Sequence, residues 1–348
     1  MSIPTTQRAW RAVAKGQPRD ALKLVTDLPV PTALKPGEVL VKVQAGALNP
    51  VFYKLLGLLP NFIAKRPLTA EHDFAGVVVN PNGSHWSTGD QIFGWIPVGL
   101  NLKTREGALS EYTVVPADYI TTRPPNLTPT QAAGISLAGM TGYQALFQVA
   151  KLEAGQTVFI NGGSTSVGAF AIIFAKARGI KVVASASGKN EAFVRKMGAD
   201  EFIDYTKEDL ATYLQQNPPS PKYHAIFEAV GLADCSLYLH SEKYLAPGGV
   251  FVSTGPTPKS WGDAPKISKL VFAFLPRFLG GVNRKFAIVG VDHKKEDLEA
   301  MKEILAQSEV KPPVDSVHTF EDALNAYDRI KSGRATGKVV VKIDPTVD

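Results

Sequence analysis

The chain has a single cysteine, Cys235, among 348 residues. That excludes an internal disulfide framework and a cysteine-rich zinc lobe, and it points to a reducing compartment. Long apolar runs are missing as well: none reaches the roughly 18–20 residues that a bilayer-spanning helix needs. Low-complexity tracts and internal repeats are absent. With 45% hydrophobic and 20% charged residues, the composition excludes disordered and fibrous classes. Basic charge is scarce outside one segment. The net charge is +6, yet six Lys/Arg and one Asp fall between Pro256 and Lys285, leaving 32 basic and 31 acidic residues elsewhere. A chain-wide basic surface for nucleic acid is therefore not indicated. No acid precedes Asp20, while Arg8, Arg11, Lys15 and Arg19 do, a faint likeness to a mitochondrial presequence. The same residues read better as a strand, a turn at Gly16 and a second strand. The expected location is cytoplasmic, with mitochondrial or lipid-droplet association as alternatives.

A mass of 37.4 kDa is enough for two domains, since single cores stop growing at about 250–300 residues. The first 130 residues carry short β-rich runs ("EVLVKVQAGALN", "DFAGVVVN", "DQIFGWIPV", "SEYTVVPADYI") between Gly and Pro, which predicts a compact, mostly antiparallel β module. Thr128 is a candidate N-cap for a helical pattern that continues to Gly155. From Thr157 onward, apolar runs ("TVFI", "KVVASA", "EFIDY", "YHAIFEAV", "GVFVST", "KFAIVGV") alternate with helical segments. Continuous Val/Ile/Phe strands separated by helices predict a doubly wound parallel sheet, an α/β architecture.

The most informative stretch is "NGGSTSVGAFAI". Gly162 and Gly163 allow a tight turn close to a pyrophosphate, and Gly168 lets the next helix pack against the strand. The helix start near Ser166 and Val167 offers free N–H groups to phosphate oxygens. After the second strand, the acid that would bind an NADH ribose is missing: the positions hold Ser185, Ser187, Gly188, Lys189 and Asn190. Hydroxyls with a lysine suit the dianionic 2′-phosphate of NADPH, although Lys189 also reads as a solvated residue at a helix start.

With these residues in hand, the chain resembles the medium-chain dehydrogenase/reductase superfamily, in its zinc-free quinone oxidoreductase-like branch. The likeness runs from "GEVLVKVQAGALNP" through "DFAGVVV", "GDQIFG", "AGISLAGMTGYQAL", "NGGSTSVGAFAI" and "KMGADEFIDY" to "SGRATGKVVVKI". It implies a GroES-like β domain, residues 1–131 plus 292–348, with a Rossmann domain inserted at 132–291. It also implies a homodimer joined near "KFAIVGV". Asn49 stands where zinc-dependent relatives carry cysteine, and His72 falls at their histidine, so the resemblance implies no metal. It further implies cofactor contacts from Thr141, from Gly162, Gly163, Ser164, Thr165, Ser166 and Val167, and from Ser185, Ser187, Lys189 and Tyr205 around the 2′-phosphate. Val230, Gly231, Thr254, Gly255, Val289, Val291 and Lys338 complete the set, the last near the pyrophosphate. Two positions depart from the pattern: Phe52 replaces an aspartate, and Glu71 replaces a glycine.

The reaction so implied is NADPH-dependent hydride transfer to a quinone or an α,β-unsaturated carbonyl. Asn49, Tyr53 and His72 are the candidates to hydrogen-bond or protonate the acceptor. A trans-2-enoyl thioester reductase is one alternative. Another is a peripheral membrane or lipid-droplet NADPH-binding protein with little turnover, using the basic apolar stretch 265–286 as a weak membrane contact. That stretch reads equally as a helix over the substrate cleft or a subunit contact. A crystallin-like or regulatory role with retained cofactor binding is a third.

Overall fold

The computed structural model describes residues 3–256, 274, 275, 279 and 281–347. The stretch 265–286 lies for the most part outside the described residues. Contacts divide the chain into two units, one of Met1–Leu137 with His293–Asp348 and one of Ala138–Asp292.

The first unit is built on a seven-stranded, mostly antiparallel sheet. Its central strand, Glu38–Ala47, pairs antiparallel with Asp73–Asn80, Tyr112–Pro116 and Lys338–Lys342. Val39, Val41 and Val43 enter one apolar cluster with Phe52, Phe74 and Tyr327, the period-two spacing of a strand with one face on the core. Thr6–Ala12 and Leu22–Pro29 form an antiparallel pair on either side of Gly16.

The second unit holds a six-stranded parallel sheet in the order Glu201–Asp204, Lys181–Ala186, Thr157–Asn161, Tyr223–Glu228, Leu245–Ser253, Lys285–Ile288. Val158, Phe159 and Ile160 are fully buried, as a central parallel strand covered on both faces requires. The chain winds outward in both directions from Thr157–Asn161. The carboxyl ends on either side of it are the switch point at which such sheets bind ligands.

The helical pattern from Thr128 to Gly155 resolves into three pieces: Pro129–Ala133, Ser136–Tyr143 and a π-helical turn at Gln144–Val149. Thr128 does cap the first, in a reciprocal capping box with Gln131. At the break, a Cβ on Gly134 would lie 2.8 Å from the Lys338 side chain, so glycine admits Lys338 where another residue would exclude it. Among the described residues, no helix is long and apolar enough to cross a membrane.

Candidate active site

The phosphate turn is assembled from consecutive residues. Gly162 has φ +86°, a conformation glycine adopts without steric cost. The N–H groups of Gly162 and Gly163 donate to the Ser185 carbonyl at 3.1 and 2.8 Å. Thr165 caps the helix Ser166–Ala177: its hydroxyl accepts from the Gly168 N–H and donates to the Gly162 carbonyl. A Cβ at position 168 would stand 2.2 Å from that carbonyl oxygen, so only glycine lets the helix start so close to the strand. Ser166 and Val167 occupy the first helical positions, where N–H groups have no intrahelical acceptor. Ser164 is half-buried beside them. Such a turn has the geometry to cradle a phosphate.

Beneath the turn runs a buried polar row across four strands. Ser185 Oγ donates to Asn161 Oδ1 at 2.8 Å, and Asn161 Nδ2 donates to Glu228 Oε1 at 3.4 Å. Glu228 also accepts from Ser253 Oγ and from the N–H groups of Val230, Gly231 and Leu232. Burial pushes the Glu228 carboxyl up, while those donors pull it back. Ser185 is thus turned into the sheet and is fully buried, which corrects its expected place at the 2′-phosphate. The cause is its parallel pairing with Asn161. Val230 is 46% exposed. Gly231 sits at φ +76°, and the Thr254 N–H donates to the Glu228 carbonyl. The Gly255 N–H donates to Ser253 Oγ. Thr141 is buried in its helix. Val289 is buried with its N–H on the Ser253 carbonyl, and Val291 is half-buried. Just beyond, Gln144 of the π-helical turn holds both backbone groups of Asp292, donating at 2.8 Å and accepting at 3.2 Å.

At the far end of the turn, Ser187 is half-buried, while Lys189 and Tyr205 are exposed. A carboxylate that the strand-end pattern does not reveal stands at this turn. Asp204 ends the neighbouring strand opposite Ala186, and its Oδ1 accepts the Gly188 N–H at 2.9 Å.

In the first unit, the candidate polar residues lie in a buried network. Lys338 is 3% exposed, and its Nζ donates to Asn49 Oδ1 at 2.7 Å and to Asp73 Oδ2 at 3.0 Å. The ammonium expected near the pyrophosphate is therefore spent inside the β unit, because the last strand carries it inward. Asn49 Nδ2 donates to the same Asp73 oxygen and to the Ala47 carbonyl. Asp73 Oδ1 accepts the Leu137 N–H. Glu71 is fully buried at φ +68°, and accepts from Tyr327 Oη at 2.7 Å and from the Asn49 N–H at 3.1 Å. The left-handed φ explains why glycine suits this position. Burial pushes the Glu71 carboxyl up to about 8.

His72 is buried, with Nδ1 2.8 Å from the Ile96 carbonyl. A carbonyl only accepts, so the ring proton lies on Nδ1 and Nε2 is a bare acceptor. Nε2 has no partner. His72 borders a cavity of about 20 Å³ with Phe52, Leu56, Leu59 and Arg66, room for one water molecule. Burial lowers the imidazole's proton affinity. Tyr53 is half-buried, and both burial and the Glu71 charge raise its hydroxyl's pKa. Its hydroxyl has no partner among the described residues.

Comparison with known proteins places this geometry. Residues 35–125 match the alcohol dehydrogenase GroES-like domain, and residues 197–341 match the zinc-binding dehydrogenase family. The trans-enoyl reductase pgmF of Aspergillus terreus is 33% identical, covering 99% of this chain and 98% of its own. The chain belongs to the medium-chain dehydrogenase/reductase superfamily. A second member of that superfamily, the 2-methylene-furan-3-one reductase of Solanum lycopersicum, is 31% identical over 98% of this chain and 80% of its own. The quinone oxidoreductase of Coxiella burnetii superposes with a TM-score of 0.77 at 26% identity, over 97% of this chain and 99% of that one. The protein is therefore an oxidoreductase of the medium-chain type, with the α/β fold of a GroES-like domain and a Rossmann-like parallel sheet.

Zinc chemistry in this superfamily needs three protein donors and a water. Here position 49 supplies an amide, Asp73 is paired with Lys338, and His72 stands alone. The donor set does not fit the ion. Sequence reasoning missed Glu228, Gln144, Asp204 and Tyr327. Glu228 left one trace, a charge inside the apolar run "AIFEAV"; the others left none.

Proposed function

We propose that this protein is a zinc-independent, NADPH-preferring reductase of carbon–carbon double bonds conjugated to a carbonyl, with quinones as a second acceptor class. The observation that carries the cofactor half is the cradle from Gly162 to Gly168, with Ser187 and Lys189 at its 2′ end. Two relatives support the acceptor half by their names: one is a trans-enoyl reductase, and the other is a 2-methylene-furan-3-one reductase. The exposed apolar side chains Leu58 and Phe62, 65% and 80% exposed, lie in the segment that follows Tyr53. They suit an acceptor with an apolar body.

The cofactor supplies the hydride, which adds to the β-carbon, and a proton then completes the α-carbon. The protein's part is orientation and proton supply. Of the three candidate donors, the Asn49 amide is committed to Asp73, and His72 presents a bare acceptor. The Tyr53 hydroxyl, half-buried and with no hydrogen-bond partner among the described residues, carries its proton at neutral pH as phenols do, so we assign it the donor role. Asn49 and Lys338 fix the buried network around Asp73. A homodimer would pair through the edge strand Lys285–Ile288, where Ile288 is 57% exposed.

The test is titration of purified protein with NADPH and NADH, then turnover with a 2-enoyl thioester, an enone and a benzoquinone. NADPH is expected to bind more tightly, and Lys189→Ala to cut its affinity about tenfold with little change for NADH, as loss of one phosphate-pairing cation does. Binding of neither nucleotide would sink the reading. Binding without turnover of any acceptor would leave a nucleotide-binding protein rather than a reductase.

A further inference from the structure

We infer that Asp204 is a specificity-determining residue that opposes Lys189 across one turn, so that the second unit accepts NADH as well as NADPH. The inference rests on the nicotinamide reading above and sharpens it. In the common arrangement, the acid that receives the ribose 2′-hydroxyl stands at the end of the strand after the glycine turn. Here that strand, Lys181–Ala186, ends without one. The adjacent strand supplies the charge instead.

Three contacts fix where the carboxylate sits. Parallel pairing puts Asp204 opposite Ala186, one residue before the turn. Oδ1 then accepts the Gly188 N–H at 2.9 Å, the Thr206 N–H at 3.0 Å and the Thr206 hydroxyl at 2.7 Å. Oδ2 lies 2.3 Å from where a Cβ on residue 188 would be, so any larger residue there would have to push the carboxylate aside.

The two oxygens do different work. Oδ1 carries all three donors and holds the loop; Oδ2 accepts none of them. The second oxygen lies against Gly188, between Ser187 and Lys189 in the chain, and is open to a donor from the adenosine ribose of a nucleotide in the cradle. Hydrogen bonds from Thr206 and Gly188 keep the carboxyl well ionised. A 2′-hydroxyl can donate to such an oxygen. A 2′-phosphate has no proton to give at neutral pH, and it meets like charge that Lys189 must offset. One turn therefore contains both the cation that favours the phosphate and the anion that favours the hydroxyl.

The experiment measures dissociation constants of NADPH and NADH for the full chain as wild type, Asp204→Asn, Asp204→Ser and Lys189→Ala, at low and high salt. Asparagine keeps an oxygen for Gly188 and Thr206 but removes the charge. Serine is a smaller neutral residue that guards against a local distortion peculiar to asparagine. Asp204→Asn is expected to tighten NADPH and weaken NADH, moving their ratio about tenfold toward NADPH, with the NADPH gain shrinking as salt screens it. Lys189→Ala is expected to move the ratio the other way. A purely structural Asp204 would weaken both nucleotides together, and that result overturns the inference. So does an unchanged ratio in both Asp204 variants while Lys189→Ala still shifts it, which leaves the nicotinamide reading standing. If wild-type protein binds neither nucleotide, both fail.

Discussion

Lys338→Met is expected to cost the first unit about 3–5 kcal/mol of stability, read as a fall in the urea midpoint. The size follows from what is left behind. Asp73 is completely buried, and without the ammonium its carboxylate keeps only neutral donors, Asn49 Nδ2 and the Leu137 N–H. Uncompensated charge in a low-dielectric interior is among the costliest single defects a fold can carry. Asp73→Asn added to Lys338→Met removes that charge and is expected to recover much of the loss. A change below about 1 kcal/mol in the single variant would mean that water reaches Asp73. The same variant separates two roles for the lysine. If Lys338 serves only the β unit, folded variant binds NADPH with unchanged affinity. If it reached a pyrophosphate, affinity would drop in the folded fraction too.

The second large effect concerns pH. The Glu71 carboxyl ordinarily titrates near 4.5, and in the fold it is pushed up to about 8, chiefly by burial. The native state therefore holds a proton that the unfolded chain has released throughout that interval. Stability associated with neutral Glu71 is fully present below about 4.5 and is lost as pH rises through about 8. Above that it stays constant. Glu71→Gln has no proton to lose. Relative to wild type, it is expected to gain on the order of 3–5 kcal/mol between pH 5 and pH 9, with a flat profile of its own in that window. Parallel stability profiles for the two proteins would show that Glu71 is ionised at neutral pH and that Tyr327 and Lys338 outweigh its burial.

Both effects arise in a network whose members lie far apart in the chain. Lys338 and Asp73 are 265 residues apart, and Tyr327 and Glu71 are 256. No spacing rule reaches across such distances; the family resemblance singles out Lys338 as a pyrophosphate contact, and nothing in the sequence shows that it is buried against Asp73. Its burial depends on the strand Lys338–Lys342 entering the sheet beside Glu38–Ala47, a pairing made by tertiary contact alone.

The glycine turn was legible for the opposite reason. Every group in it, from Gly162 to Gly168, comes from one short stretch, and local sterics decide which residues tolerate a left-handed turn and a close helix start. The parallel sheet was legible too, because burial on both faces demands continuous apolar runs. Alternation puts Ser185 and Ser187 on the same side of their strand, yet it says nothing of what covers each. Pairing with Asn161 buried the first, and the strand's end left the second near solvent. Asp204 completes the contrast. Sixteen residues separate it from Gly188, and only the parallel register of two adjacent strands brings its charge to the turn. Chain-local geometry set the turn and the strand order's raw material; long-range pairing decided which charges are buried and which stand at the turn.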